Sequence, residues 1–227
     1  MKNEFLAKSN GETIMEHTEN LISNLKNFFI IYSEINVDKK LLLLACIYHD
    51  LGKINKKFQS KLSGKRQNGE LPHGLLSTSF IDSKSLSENG FDKSDIKILS
   101  YSVALHHERD LSEISEEDFS SEIELMNIEA DYFLKYLEKL QNIYFDYMNE
   151  NMKENLKYPI FKIENEKIKL KKLSKKYYKL NGRIYSQDFI LSEKETFETF
   201  QKYVMLKGLL NKIDYAASSY IPVEEKN

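Results

Sequence analysis

Five histidines occur in this chain, and none lies in an obviously solvated charged run: Glu16-His17-Thr18, Tyr48-His49-Asp50-Leu51-Gly52-Lys53, Pro72-His73-Gly74 and Leu105-His106-His107-Glu108. Four separated segments each carry imidazole. Imidazole combined with carboxylate is the donor mix of borderline first-row cations such as Mn²⁺, Fe²⁺, Co²⁺, Ni²⁺ or Zn²⁺, whereas an all-oxygen shell would favour Mg²⁺ or Ca²⁺. Five imidazoles exceed what one mononuclear site uses. Two ions sharing a carboxylate, roughly 3.5–4 Å apart, would use them all, and such pairs clamp phosphodiesters and generate hydroxide near neutral pH.

Within the second segment, Lys53 follows His49 by four residues and Asp50 by three, so on a helix the three would share one face. Two ligands and one cation there would suit a phosphate ester. Gly52 carries no side chain and would let a bulky anion approach the backbone. A bridging plan needs a further carboxylate, and Asp214 supplies one in Lys212-Ile213-Asp214-Tyr215-Ala216-Ala217-Ser218, at the edge of an apolar stripe. An acid in that place wants a partner. Taken singly, each histidine reads as a satisfied core or surface residue, His-Asp as a chance dipeptide and Asp214 as a solvated side chain. Taken together, a His-Asp-x-Gly-Lys set on an apolar segment, an adjacent His pair and two further histidines point to a metal centre.

The elements needed to position these residues are mostly helices of period 3.6. One is predicted over Ile14 to Tyr32. Asp38 is a predicted N-cap for the next, running from Lys39 to Leu51 and apolar nearly all round, which places it at the centre of the core. Pro72 would occupy the first turn of a helix carrying His73 to Leu86, broken by Asn89-Gly90. Asp92 or Ser94 caps another that leads to His106-His107. Ser115-Glu116-Glu117-Asp118 resembles a capping box opening one long or two shorter helices to Lys157, and Ser192 with Glu195 opens a last helix to Ser219, ended by Ile221-Pro222. Between these, Pro159 to Ile163 and Lys167 to Leu170 alternate and Asn181-Gly182 sits between Tyr-rich flanks, which predicts β-hairpins. The expected architecture is all-α, a helical bundle with a small β-hairpin insertion near residues 158–186, a single domain over 1–227 and a polar tail over 220–227.

Bulk properties agree with that plan. With 227 residues there is room for one well-buried core. The chain is 41% hydrophobic and 30% charged, with three prolines and eight glycines, which fits a helix-rich globular protein. Cys46 is the only cysteine and lies in the apolar run, so an intrachain disulfide and a thiolate metal site are both excluded. The opening residues lack the apolar core of a signal peptide and no stretch reaches membrane-spanning length, so the expectation is a soluble cytoplasmic protein without a membrane partner. The net charge of −2 does not by itself call for nucleic acid, so any such binding needs a local patch.

The series His17, His49-Asp50-Leu51-Gly52-Lys53, His73-x-x-x-Ser77, His106-His107 and Asp214-Tyr215-Ala216-Ala217-Ser218 resembles the HD nuclease of type I CRISPR interference, from about Glu16 to Ser219. The His pair and the late Asp-x-Ala-x-Ser pattern are its more specific parts. The resemblance implies an all-helical HD fold with two divalent transition-metal ions, Mn²⁺, Ni²⁺, Co²⁺ or Fe²⁺, with Mg²⁺ as a further option. It places His17, His49, Asp50 and Asp214 on one ion and Asp50, His73, His106 and His107 on the other, with Lys53 orienting phosphate. It further implies cleavage of single-stranded DNA, fed by a helicase subunit or domain recruited to a crRNA-guided surveillance complex. These 227 residues hold no helicase phosphate loop, since Gly64-Lys65 is followed by Arg66 and has Gln59 in place of a phosphate-loop glycine, so the expectation is either a stand-alone nuclease subunit or a fragment of a helicase fusion.

From Lys157 to Arg183 ten basic residues face only Glu164 and Glu166. Lys171, Lys172, Lys175 and Lys176, interleaved with Tyr177 and Tyr178, could track a single strand through phosphate contacts and stacking; a solvated Lys-rich hairpin or a protein-docking surface reads equally well from composition. Two other functions compete. A cyclic-dinucleotide phosphodiesterase of the HD-GYP type, or a nucleotidase, would use the same metals, but Asp110-Leu111-Ser112-Glu113 stands where Gly-Tyr-Pro would be expected. A metal-stabilised scaffold without catalysis is the alternative outside enzymes.

Overall fold

The computed structural model describes residues 5–65, 67–107, 111, 114–152, 158–164, 167–171 and 197–220. Helices dominate them, beginning with α1 (Ile14–Ile31), which starts where a capping box closes. Thr13 Oγ1 accepts the Glu16 N–H at 3.1 Å, and Glu16 Oε2 accepts the Thr13 N–H at 2.8 Å. His17 therefore sits in the first turn, on the buried face with Leu21, Leu25 and Phe28.

Helix α2 (Lys39–Tyr48) is capped by Asp38, whose carboxylate accepts from the N–H groups of Lys40 and Leu41. Every residue from Leu41 to Tyr48 is buried, so this helix is the axis of the core. Each leucine there contributes roughly 1.5–3 kcal/mol by leaving water. The predicted continuation to Leu51 is not made. His49 is the C-cap, and after Asp50 the chain tightens into a 3₁₀ turn, Leu51–Ile54.

Next come α3 (Lys56–Leu62) and α4 (His73–Ser77). Pro72 stands at the N-cap of α4 instead of in its first turn. The helix predicted from His73 to Leu86 is broken: a 3₁₀ turn (Thr78–Phe80) follows α4, then α5 (Ser83–Glu88), capped by Asp82. Thr78 and Ser79 explain the break, because their hydroxyls donate at 2.7 Å to the carbonyls of Leu75 and Leu76, competing with helix propagation. Helix α6 (Lys93–Ala104) opens on an Asp92–Asp95 capping box and ends immediately before the His pair.

Helix α7 (Glu116–Tyr147) is one long helix, capped by Ser115 and continued by a π turn, Met148–Met152. It buries Phe119, Ile123, Met126, Ala130, Phe133, Leu137, Leu140 and Tyr144, a 3.6-residue period against the core. Strands β1 (Ile163–Glu164) and β2 (Lys167–Ile168) form a minimal antiparallel pair, Ile163 opposite Ile168 and Glu164 opposite Lys167. Ile160 and Phe161 are core residues outside the strands. Tyr48 Oη donates to the Ile160 carbonyl at 2.7 Å and packs against the Phe161 ring. Helix α8 (Phe197–Ser219) packs on α1, α2 and α6 and thereby carries Asp214 into the middle of the molecule. The expected Asn181-Gly182 turn, the Ser192/Glu195 cap and Ile221-Pro222 lie outside the described residues. No described helix is long and apolar enough to cross a membrane.

Candidate metal centre

All seven proposed ligands meet in one place. His17 comes from α1, His49 from the end of α2, Asp50 from the step into the 3₁₀ turn, His73 from the start of α4, His106 and His107 from just past α6, and Asp214 from α8. Asp50 is at the middle. Its Oδ2 lies 3.4 Å from His17 Nε2 and 3.4 Å from His49 Nε2, while its Oδ1 lies 3.2 Å from His73 Nε2 and 3.9 Å from His106 Nε2. Donor atoms of His17, His49 and Asp214 all fall within 4.8 Å of one another, and so do those of His73, His106 and His107. Asp214 also spans the two groups, Oδ1 at 3.0 Å from His17 Nε2 and Oδ2 at 3.6 Å from His107 Nε2.

Ring orientation favours ligation. His49 Nδ1 donates to the Cys46 carbonyl at 2.9 Å and His106 Nδ1 to the Val103 carbonyl at 2.7 Å. A carbonyl can only accept, so the proton is fixed on Nδ1 and Nε2 keeps its lone pair toward the cluster. Burial, followed by the neighbouring histidines, holds His106 well below the ordinary imidazole range. His107 is lowered by burial and by His73, and burial outweighs Asp50 and Asp214 to lower His49. Burial alone would raise Asp50, but His49, Lys53 and His73 together hold it well below the carboxylate range. Burial is likewise overcome at Asp214, by the hydrogen bond with His17 and the charge at His49. These directions favour neutral rings at His49, His106 and His107 and ionised carboxylates at Asp50 and Asp214, the protonation states a cation requires.

His49 Nε2 and Asp50 Oδ1 are buried without a hydrogen-bond partner. Each such atom costs about 1–3 kcal/mol, a penalty that a bound cation removes. The donor set therefore fits divalent metal. His17 and His49 are fully enclosed, whereas the side chain of His107 is 36% exposed and that of His73 17%, so the cluster opens to solvent on their side.

Two local expectations change. His49, Asp50 and Lys53 do not share a helix face, because α2 ends at Tyr48. The 3₁₀ turn instead bonds Lys53 N–H to the Asp50 carbonyl at 2.9 Å and brings Lys53 Nζ to 2.7 Å from Asp50 Oδ2. The ammonium is engaged by Asp50 and buried. Gly52 does not clear space for an anion. A Cβ there would stand 2.7 Å from Ser77 N and closer still to the His73 carbonyl, so the glycine admits the backbone of α4. Gly74 does the same between α4 and α6, where a Cβ would stand 2.6 Å from the Val103 carbonyl and 2.8 Å from His106 Nδ1.

Ser77, fully buried, was legible only as part of the motif. Its Oγ accepts the Gly52 N–H at 2.7 Å and lies 2.7 Å from the His49 carbonyl and 2.9 Å from that of His73. Glu12, beside His17, carried no signal in the sequence. In the basic segment Lys171 is exposed and its N–H donates to the Ser79 carbonyl, whereas Lys172, Lys175, Lys176, Tyr177 and Tyr178 lie outside the described residues.

The HD domain family matches residues 14–144, more than half of the chain, and the chain belongs to that family. Membership assigns it to the metal-dependent phosphohydrolases. The matched span holds every histidine and Asp50, and Asp214 reaches the cluster from beyond it. No curated protein and no solved structure matches the chain.

Proposed function

We propose that this protein is a two-metal phosphodiesterase of the nuclease type that cleaves single-stranded DNA, as its likeness to the HD nuclease of type I CRISPR interference implies. The supporting observation is the division of Asp50: one carboxylate oxygen faces His17 and His49, the other His73 and His106. His17, His49, Asp50 and Asp214 would hold one ion, and Asp50, His73, His106 and His107 the second. When bound, divalent ions supply Lewis acidity toward a phosphoryl oxygen and lower the pKa of water. Transition metals, Mn²⁺, Ni²⁺, Co²⁺ or Fe²⁺, suit the imidazole-rich set better than Mg²⁺.

The chain's own part is to hold these groups rigid and to admit substrate from one side. The carbonyls of Cys46 and Val103 keep His49 and His106 in the ligating tautomer. Lys53 places a positive charge beside Asp50, where it favours a phosphate drawn toward the open edge at His73 and His107. Lys171 and the basic residues after it would contact the strand backbone, and a helicase and a crRNA-guided complex would deliver it.

The test combines elemental analysis with cleavage of labelled single-stranded DNA, cyclic dinucleotides and deoxynucleoside triphosphates by the same preparation. Cleavage of the DNA strand with two ions per chain is the expected result. Preference for a cyclic dinucleotide or a nucleotide would move the protein to the signalling or nucleotidase class, and metal binding without any hydrolysis would leave a scaffold. Neutralising Lys171, Lys172, Lys175 and Lys176 together should weaken strand binding and flatten its salt dependence while leaving metal content intact; an unchanged salt slope rejects the patch.

A further inference from the structure

His17 differs from the other enclosed imidazoles of the cluster in what stands behind it. His49 and His106 turn Nδ1 to main-chain carbonyls. The Nδ1 of His17 is buried with no hydrogen bond, and the group facing it is a carboxylate oxygen, Glu12 Oε1 at 3.4 Å. We infer that Glu12 is a positioning residue of the metal centre, the acceptor that keeps the proton of His17 on Nδ1 so that Nε2 is free to ligate. The inference rests on reading the cluster as a metal site.

The placement of Glu12 is built. It is 8% exposed, ahead of the Thr13 cap of α1. Its N–H donates to Asn10 Oδ1 at 3.1 Å, and its carbonyl accepts from the N–H groups of Ala7 at 2.7 Å and Lys8 at 3.3 Å. Gly11, at φ 98°, takes a left-handed conformation open to glycine that lets this turn close. The carboxylate pairs with Lys8, accepts from Asn20 Nδ2 at 3.2 Å through Oε1, and accepts from Tyr220 Oη at 3.2 Å through Oε2. Glu12 thus joins the chain before α1, α1 itself and the end of α8, the helix that carries Asp214. A carboxylate behind a ligating imidazole fixes its ring and raises its basicity, and loss of such a partner typically lowers metal affinity about 10–100-fold.

Without an acceptor, or with a partner that can also donate, His17 could carry its proton on Nε2, where it blocks ligation; Nε2 stands 3.0 Å from Asp214 Oδ1, so the tautomer decides whether that pair is closed by a proton or left open to a cation. Glu12→Gln creates that situation with little change in shape, because the amide can turn its NH₂ toward Nδ1. Glu12→Asp keeps the charge. Asn20→Ala and Tyr220→Phe remove supports of Glu12 but leave its carboxylate facing His17.

Co²⁺ titration of the metal-free chain, followed by visible d–d absorption and by chelator competition, reads affinity and ligand geometry directly. Expected is a loss of about 10–100-fold in E12Q with an altered d–d band, partial rescue in E12D, and affinities within about twofold of wild type for N20A and Y220F. Wild-type affinity and spectrum in E12Q overturn the role of Glu12 alone. Equal losses in E12Q, N20A and Y220F overturn it in favour of packing. No Co²⁺ binding by the wild-type chain overturns the metal site and this inference with it. If E12Q does not fold, the comparison of E12D with wild type carries the decision, and an unperturbed E12D spectrum and affinity counts against a carboxylate held at a set distance.

Discussion

Ser77 Oγ lies 2.7 Å from the carbonyl oxygen of His49, twenty-eight residues earlier, and this contact holds the end of the core helix against the last residue of α4. The same oxygen accepts the Gly52 N–H, so one hydroxyl fixes both sides of the Asp50 step. Ser77→Ala leaves a buried N–H unpaired, at a cost of about 1–3 kcal/mol. The melting temperature should fall by roughly 2–4 °C per kcal/mol, and metal affinity should fall with it because His49 and His73 lose their common anchor. Unchanged affinity in calorimetric titration would show that the two histidines are positioned without Ser77.

Gly52, Gly74 and Gly208, none of them in a left-handed conformation, separate into two kinds, and their alanine variants should move stability in opposite directions. At Gly52 and Gly74 the added methyl meets backbone atoms that cannot swing away. Each variant should lose about 1–3 kcal/mol or more and release metal, since α4 is pushed from the 3₁₀ turn or from α6. At Gly208, within α8, a Cβ meets nothing within 4 Å, so alanine should stabilise by up to about 1 kcal/mol through helix propensity. Urea midpoints of the three variants check the ordering.

What was legible in the sequence was local. Asp38 and Ser115 signal their helices through side chains that bond N–H groups two or three residues on, and of the two candidates Asp92 and Ser94 the structure uses Asp92. The residues that converge in the cluster were legible because so few histidines existed to choose from, and because Asp50 and Asp214 are acids in apolar surroundings. The end of α2 was not legible. Nothing in Tyr48-His49-Asp50-Leu51 breaks a helix, and the break depends on Ser77, which takes the His49 carbonyl and the Gly52 N–H from far along the chain. Gly52 was misread for the same reason, since what fills its space is the backbone of α4. Glu12 reaches His17 around a turn closed by Gly11, and no periodicity encodes that approach.

Asp50 should be the residue whose loss empties both halves of the cluster. Its two oxygens face different histidines, so Asp50→Ala removes a donor from each side. The buried ammonium of Lys53 also loses the carboxylate 2.7 Å away, so the double variant Asp50→Ala/Lys53→Met serves as a control for an uncompensated charge. Expected for both variants is a helical far-ultraviolet spectrum with metal content and phosphodiester cleavage near background. A variant that still holds half the wild-type metal would show that one group binds without Asp50.

Acid should unfold the metal-free protein from higher pH than carboxylates alone would dictate. His106 is held well below imidazole's ordinary 6.5, and burial also lowers His49 and His107. Below that pH the unfolded chain takes up protons on these rings while the folded chain does not, so protons favour unfolding. Stability is complete above about pH 6.5 and declines as pH falls beneath it. Asp50 and Asp214, depressed below their ordinary 3.8, extend the loss at lower pH in the same direction. In EDTA the melting temperature should therefore fall between pH 7 and 5, a window where a protein stabilised only by carboxylate pairs changes little. Saturating Co²⁺ should raise the curve at neutral pH, because a ligand that binds only the folded state stabilises it by mass action. It should also steepen the acid fall, because protons and metal compete for the same Nε2 lone pairs. A melting temperature independent of pH across this window, with and without metal, would mean that these imidazoles are solvated and the enclosed cluster is wrong.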